Sequence, residues 1–167
     1  MPELPDITLY LEALRPRVLD VPVGRVRIAN PFVLRSFDPP IAELEGKRIT
    51  GQRRLGKRIV FDIEGDLHLV IHLMMAGGLR WRPPGGKAPG KLGLAFIEFP
   101  SGVLILTEAG SKRRASMHLV RGESAVQAMN RGGIEIFESS LADFEKQLRS
   151  ENHTLKRSLT DPRLFSG

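Results

Sequence analysis

At 167 residues, with 41% apolar and 26% charged side chains, the chain is long enough for one domain with a proper core and a fragment of a second, and its composition is ordinary for a globular protein. It holds no cysteine, which excludes disulfides and any thiolate zinc site within it, and no apolar run approaches the ~18 residues of a bilayer span. A net charge of +6 is compatible with a polyanionic partner and does not by itself demand one.

The start, Met-Pro-Glu-Leu-Pro-Asp, lacks the basic and apolar regions of a signal peptide, so a cytoplasmic location is expected. Asp6 is predicted to cap a helix carrying Ile7, Tyr10, Leu11 and Leu14 at i, i+3, i+4 and i+7, which Pro16 should stop or kink. Between Val23 and Thr107 the pattern changes to period two. Ile59, Phe61 and Ile63 alternate with Val60, Asp62 and Glu64, and Leu69, Ile71 and Leu73 alternate with His68, Val70 and His72. Residues 94–99 and 103–106 read as strands joined at Pro100-Ser101-Gly102, and 84–93 reads as a flexible loop. The prediction is an α+β chain: a β-sandwich with a helix at its N-terminus over 1–131, a linker over 132–138, and the beginning of an all-helical domain over 139–167. In that last part Ser139 or Ser140 can cap one helix and Asn152 a second.

Basic residues collect in three loops between apolar strands. Residues 47–58, which include Arg54, are half Lys or Arg with no acid; Lys112-Arg113-Arg114 follows a strand; and Arg80, Arg82, Lys87 and Lys91 are interleaved with Trp81, prolines and glycines. Such loops suit a surface that tracks phosphates, and they equally suit solvated turns.

The chemical signal is at the terminus. With Met1 removed, Pro2 presents a secondary amine; chain-terminal amines titrate near ~8, so a free-base nucleophile is available to attack a sugar C1′ and form an iminium. Glu3, one residue on, can deliver a proton to the opening sugar. Alone, a Met-Pro-Glu start is a common and unremarkable terminus.

Four ordered stretches change that weighting. Residues 1–14, MPELPDITLYLEAL, resemble the MPELPEVE start of the formamidopyrimidine-DNA glycosylase and endonuclease VIII family. Residues 53–60 resemble its RRxGKxLL hairpin, 72–79 its HLGMSGxL stretch, and 155–161 followed by Phe165-Ser166-Gly167 resemble IKxxLMDQ…AG, the entry to its helix–two-turn–helix module. The resemblance implies a bifunctional glycosylase and abasic-site lyase acting as a monomer on damaged double-stranded DNA, excising oxidised purines such as 8-oxoguanine and formamidopyrimidine by β,δ-elimination.

Residue by residue, the resemblance makes Pro2 the nucleophile, Glu3 the acid and Lys57 a catalytic lysine beside the lesion phosphate. Met75 becomes the side chain that fills the gap left by a flipped base. Met74 is the better core candidate of the pair, and His72 reads as structural. Lys156 would approach the DNA backbone.

Three departures stand beside these matches. Asp6 replaces a glutamate that positions the sugar, and also fits simply as a cap. The family's DPRRFG loop is replaced by residues 107–115, in which Arg113 or Arg114 can stand for the arginine but no aromatic follows. The GIGNxYxDE continuation and the four-cysteine zinc finger are not in this chain, so a structural zinc is expected only in that further region of the family and no metal or other cofactor here. Without that region the chain is expected to be inactive alone. A non-catalytic damaged-DNA-binding module on the same fold is the alternative, and a basic RNA-binding β-domain a weaker one.

Overall fold

The computed structural model describes residues 2–86, 90–110 and 112–166; Met1, Lys87, Ala88, Pro89, Ser111 and Gly167, with the roles read for Met1, Lys87 and Gly167 above, lie outside the described residues. Helix α1 spans Leu4–Val18 and opens three residues earlier than Asp6 capping would have it. Glu3 is the N-cap, and Asp6, in the first turn, accepts the Glu3 backbone N–H at 2.9 Å. Pro5 costs nothing there, because first-turn N–H groups have no helical partner. Pro16 does not end the helix. It forfeits one late hydrogen bond, while Arg17 donates to the Ala13 carbonyl one turn back. Ile7, Leu14 and Val18 are buried.

The strands follow as β1 (Val26–Ile28), β2 (Ile49–Leu55), β3 (Arg58–Ile63), β4 (Leu67–His72), β5 (Gly77–Arg82), β6 (Gly93–Phe99), β7 (Gly102–Glu108) and β8 (Ser116–Arg121). They form two antiparallel four-stranded sheets, ordered β1-β6-β7-β5 and β2-β3-β4-β8. The expected sandwich with an N-terminal helix, an α+β fold, is what forms.

Period two explains the layering. Ile59, Phe61 and Ile63 of β3 join Leu69 and Ile71 of β4, Met117 and Leu119 of β8, and Leu104 and Leu106 of β7 in one core beneath α1. Each such side chain stabilises the fold by about 1.5–3 kcal/mol on burial. The alternate residues of the second sheet face outward. There Leu55, Val60 and Val70 make a smaller cluster with Val126 of α2 (Glu123–Gln127).

Beyond residue 131 the chain forms β9 (Ile134–Glu135), α3 (Leu141–Leu148), α4 (Leu155–Thr160) and β10 (Phe165–Ser166). The stretch read as a linker thus carries a short strand, and β9 pairs in parallel with β10. Gly133 makes room for that pairing: a Cβ at this position would lie 2.7 Å from the Phe165 backbone. Ser140 caps α3, accepting the Asp143 N–H at 3.1 Å, and Thr154 rather than Asn152 caps α4. Phe144 packs on Phe165 with ring centroids 5.0 Å apart, and Ser158 is buried, whereas Phe137, Leu141 and Leu155 are exposed.

Candidate active site

Pro2 and Glu3 stand at the mouth of α1, where the unpaired N–H groups of the first turn favour negative charge. The tight Gly56-Lys57 turn joins β2 to β3, and Gly56 takes φ +57°, a backbone setting that a side chain would strain. That turn aims Lys57 at the helix mouth, where its ammonium forms an ion pair with the Glu3 carboxylate. The Lys57 side chain is only 16% exposed, so it is an oriented cation rather than a waving surface lysine.

Pro2, Asp6, Tyr10, Met75, Ala76 and Gly77 line a cavity of about 280 Å³. The segment after β4 places Met75 there. Leu73 is buried, the Gly77 N–H donates to the Leu73 carbonyl at 2.9 Å, and a Cβ on Gly77 would sit 2.2 Å from that carbonyl oxygen. The turn is therefore closed, and Met75 points out of it with 61% of its surface exposed. Met74, at φ +56°, does not enter the core; it is half-buried and lines a second cavity. Leu73 takes the core position instead.

That second cavity, about 270 Å³, lies between the β2–β3 turn and the C-terminal segment, with Lys57, Arg58, His72, Asn130 and Arg131 among its walls. An adjoining one of about 290 Å³ shares Arg58, His72, Asn130 and Arg131 and adds His118. The His72 Nδ1 accepts the Met74 N–H at 3.0 Å, so the proton of the neutral ring sits on Nε2. Burial first, and then Arg58, Arg131, Lys57 and His118, lower its pKa from 6.5 to about 4. His72 thus holds the backbone of the turn after β4, as its structural reading has it, and also lines both cavities.

The remaining predicted residues are dispersed. Arg54 is engaged: its guanidinium pairs with Glu135 and donates to the Gly56 carbonyl at 3.0 Å, tying β2 to β9. Arg113 is exposed and donates to the Lys91 carbonyl at 2.7 Å. Arg114 is exposed, and its backbone N–H, like that of Ala115, is held by the buried Glu108 carboxylate at 2.8 and 3.1 Å. Lys156 lies exposed on α4. Sequence reading missed Tyr10 as a cavity wall, Glu108 as the post that folds the 108–115 loop, and the grouping of Arg58, His118 and Arg131. Period two could have put Arg58 and His72 on the outward face. No local signal places Arg131 beside them.

Asp62, His68 and Glu123 bring ligand-type atoms within 4.8 Å of one another. Arg53 already lies among them, bonding Asp62 at 3.1 Å and Glu123 at 2.5 Å, while the His68 Nδ1 meets Asp62 at 2.8 Å. The four side chains thus form one ion network.

Residues 1–131 match the family model of the formamidopyrimidine-DNA glycosylase N-terminal domain. Formamidopyrimidine-DNA glycosylase of Solibacter usitatus is 31% identical over 169 residues, covering 100% of this chain and 61% of the relative. That of Mycoplasma genitalium is 27% identical over 172 residues, covering 100% and 60%. The crystal structure of Lactococcus lactis Fpg in complex with abasic-site DNA matches with a TM-score of 0.88 at 24% identity, over 99% of this chain and 63% of that one. The chain thus spans about three fifths of the length of these relatives. The helix mouth, the lysine turn and the two sheets that bring them together are arranged on a fold shared with these proteins, and with most of its length matched by the family model the chain belongs to the formamidopyrimidine-DNA glycosylase family.

Proposed function

We propose that the chain supplies the catalytic part of a DNA glycosylase and abasic-site lyase that removes oxidised purines from double-stranded DNA, working as a monomer in the cytoplasm. The observation that carries this reading is the ion pair between Glu3 and a largely buried Lys57 at the mouth of α1, one residue from Pro2. Once Met1 is removed, the Pro2 nitrogen attacks C1′ of the flipped nucleotide and the C1′–base bond breaks, the base leaving with its electron pair. The Glu3 carboxylate takes the proton that the Pro2 nitrogen gives up on bonding C1′ and passes it to the ring oxygen as the sugar opens, giving an iminium. The iminium acidifies the C2′ hydrogen; its loss expels the 3′ phosphate, and a second elimination expels the 5′ phosphate. Lys57 offers a cation to the phosphate that departs. Met75, exposed beside Pro2, is suited to filling the vacated stack.

The test is borohydride trapping on an abasic duplex, using the protein at its natural length with loss of Met1 verified by intact mass. A covalent adduct is expected, and Pro2→Gly or N-terminal acetylation should abolish it. Undiminished trapping in those variants overturns the role of Pro2. Tight binding of the duplex without any adduct would establish the second reading, a non-catalytic damaged-DNA module. That reading draws on residues 107–115, where the buried Ala115 follows the arginines and no aromatic does.

A further inference from the structure

Two polar side chains, Asp6 and Tyr10, line the cavity beside Pro2; Met75, Ala76 and Gly77 add apolar and backbone surface. Asp6 is anchored, accepting the Glu3 N–H at 2.9 Å. Tyr10 follows it by one turn on α1 and so lies on the same side of the helix. Its ring is half-buried against the core, which fixes it, but its hydroxyl makes no hydrogen bond among the described residues. Nor is that oxygen sealed away: the buried side-chain polar atoms left without a partner are Gln52 Oε1 and His68 Nε2. Gly78 makes room for the phenol. A Cβ at residue 78 would lie 3.2 Å from the Tyr10 hydroxyl oxygen, and Thr107, donating to the Gly78 carbonyl at 3.1 Å, holds the strand beneath it. Residue 78 is the position that the HLGMSGxL stretch leaves open, and Tyr10 lies beyond the MPELPEVE stretch, so neither is a matched motif position. Apolar walls with one placed hydrogen-bonding group, next to the proposed nucleophile, are what a small organic group needs to be held and read.

We infer that the Tyr10 hydroxyl contacts the base of the flipped nucleotide and is a specificity-determining group for lesions that still carry their base. The inference rests on the reading above that this cavity takes a flipped nucleotide, but not on covalent chemistry at Pro2. A flipped purine brings an edge of donors and acceptors that its duplex partner no longer satisfies, and a phenol can both donate to and accept from such an edge. An abasic sugar brings no such edge.

The experiment compares, by fluorescence anisotropy, binding of two duplexes that cannot be cut: one with the carbocyclic analogue of 8-oxodeoxyguanosine, the other with a tetrahydrofuran abasic analogue. The protein is used at its natural length with Met1 removed. The parent protein should bind the lesion duplex more tightly than the abasic one. Tyr10→Phe keeps the ring and removes only the oxygen. It should lower the ratio of the two affinities by about 3- to 10-fold, the worth of one neutral hydrogen bond. An unchanged ratio in Tyr10→Phe overturns the inference, and so does a parent ratio of one. An equal loss on both duplexes makes Tyr10 a structural residue and overturns it as well. Borohydride trapping on an abasic duplex reports on Pro2 alone. Absence of an adduct counts against the covalent reading while the affinity ratio is still measured, and an adduct with an unchanged ratio counts against Tyr10 only.

Discussion

The ammonium of Lys57 meets the carboxylate of Glu3 across the seam between the β2–β3 turn and the first turn of α1. A sheet residue thereby fixes the side chain next to the proposed nucleophile. In the proposed reaction the pair divides two tasks, handling the proton of the opening sugar and assisting phosphate departure.

Glu3→Gln should therefore lower base excision by about 10²- to 10⁴-fold, the usual worth of a positioned acid, and keep part of the cleavage of pre-formed abasic sites. Single-turnover rates on a lesion duplex and on an abasic duplex measure this. Equal losses on both substrates would count against the acid role.

Glu108 is 1% exposed and holds the backbone N–H groups of Arg114 and Ala115. Glu108→Ala strips both donors of their acceptor in a buried setting, which should cost about 2 kcal/mol in urea unfolding. It should also speed hydrogen exchange at Arg114 and Ala115. Protection unchanged at those two amides would show that the loop is held by something else.

His72 gives the protein a pH dependence with a defined sign. Its folded pKa is about 4, against 6.5 in a free chain, because burial and then the cations around it oppose protonation. Between those values the unfolded chain takes up a proton that the native state refuses, so stability falls as pH drops below 6.5 and the loss levels off below about 4. His72→Gln should flatten the decline of Tm over that window. A decline as steep as in the parent protein would exclude His72 as its source.

Much of the sandwich is legible in the chain because period two survives burial on one face. Ile59, Phe61 and Ile63 announce β3, and Leu69 and Ile71 announce β4. The terminal chemistry is legible because Pro2 and Glu3 are neighbours in sequence. The helix start is misread by three residues, since Asp6 serves the first turn by reaching back to Glu3 rather than by being the cap itself. The cationic end of the second sheet is hidden for a topological reason. β8 joins β4 only after the chain has crossed to the other sheet and back, so His118 and Arg131 arrive beside Arg58 through strand order and not through spacing. The β9–β10 pairing is only two residues long and carries no periodicity to read.

Because β9 and β10 pair, with the Ile134 N–H donating to the Leu164 carbonyl at 3.0 Å, the helices between them form a lobe whose entry and exit are fastened together, and Arg54 clasps that fastening to the sandwich through Glu135. A protease nick in the exposed 149–152 stretch would therefore sever the covalent thread without freeing either piece. The nicked protein should travel as one particle in gel filtration and fall into two only under denaturant.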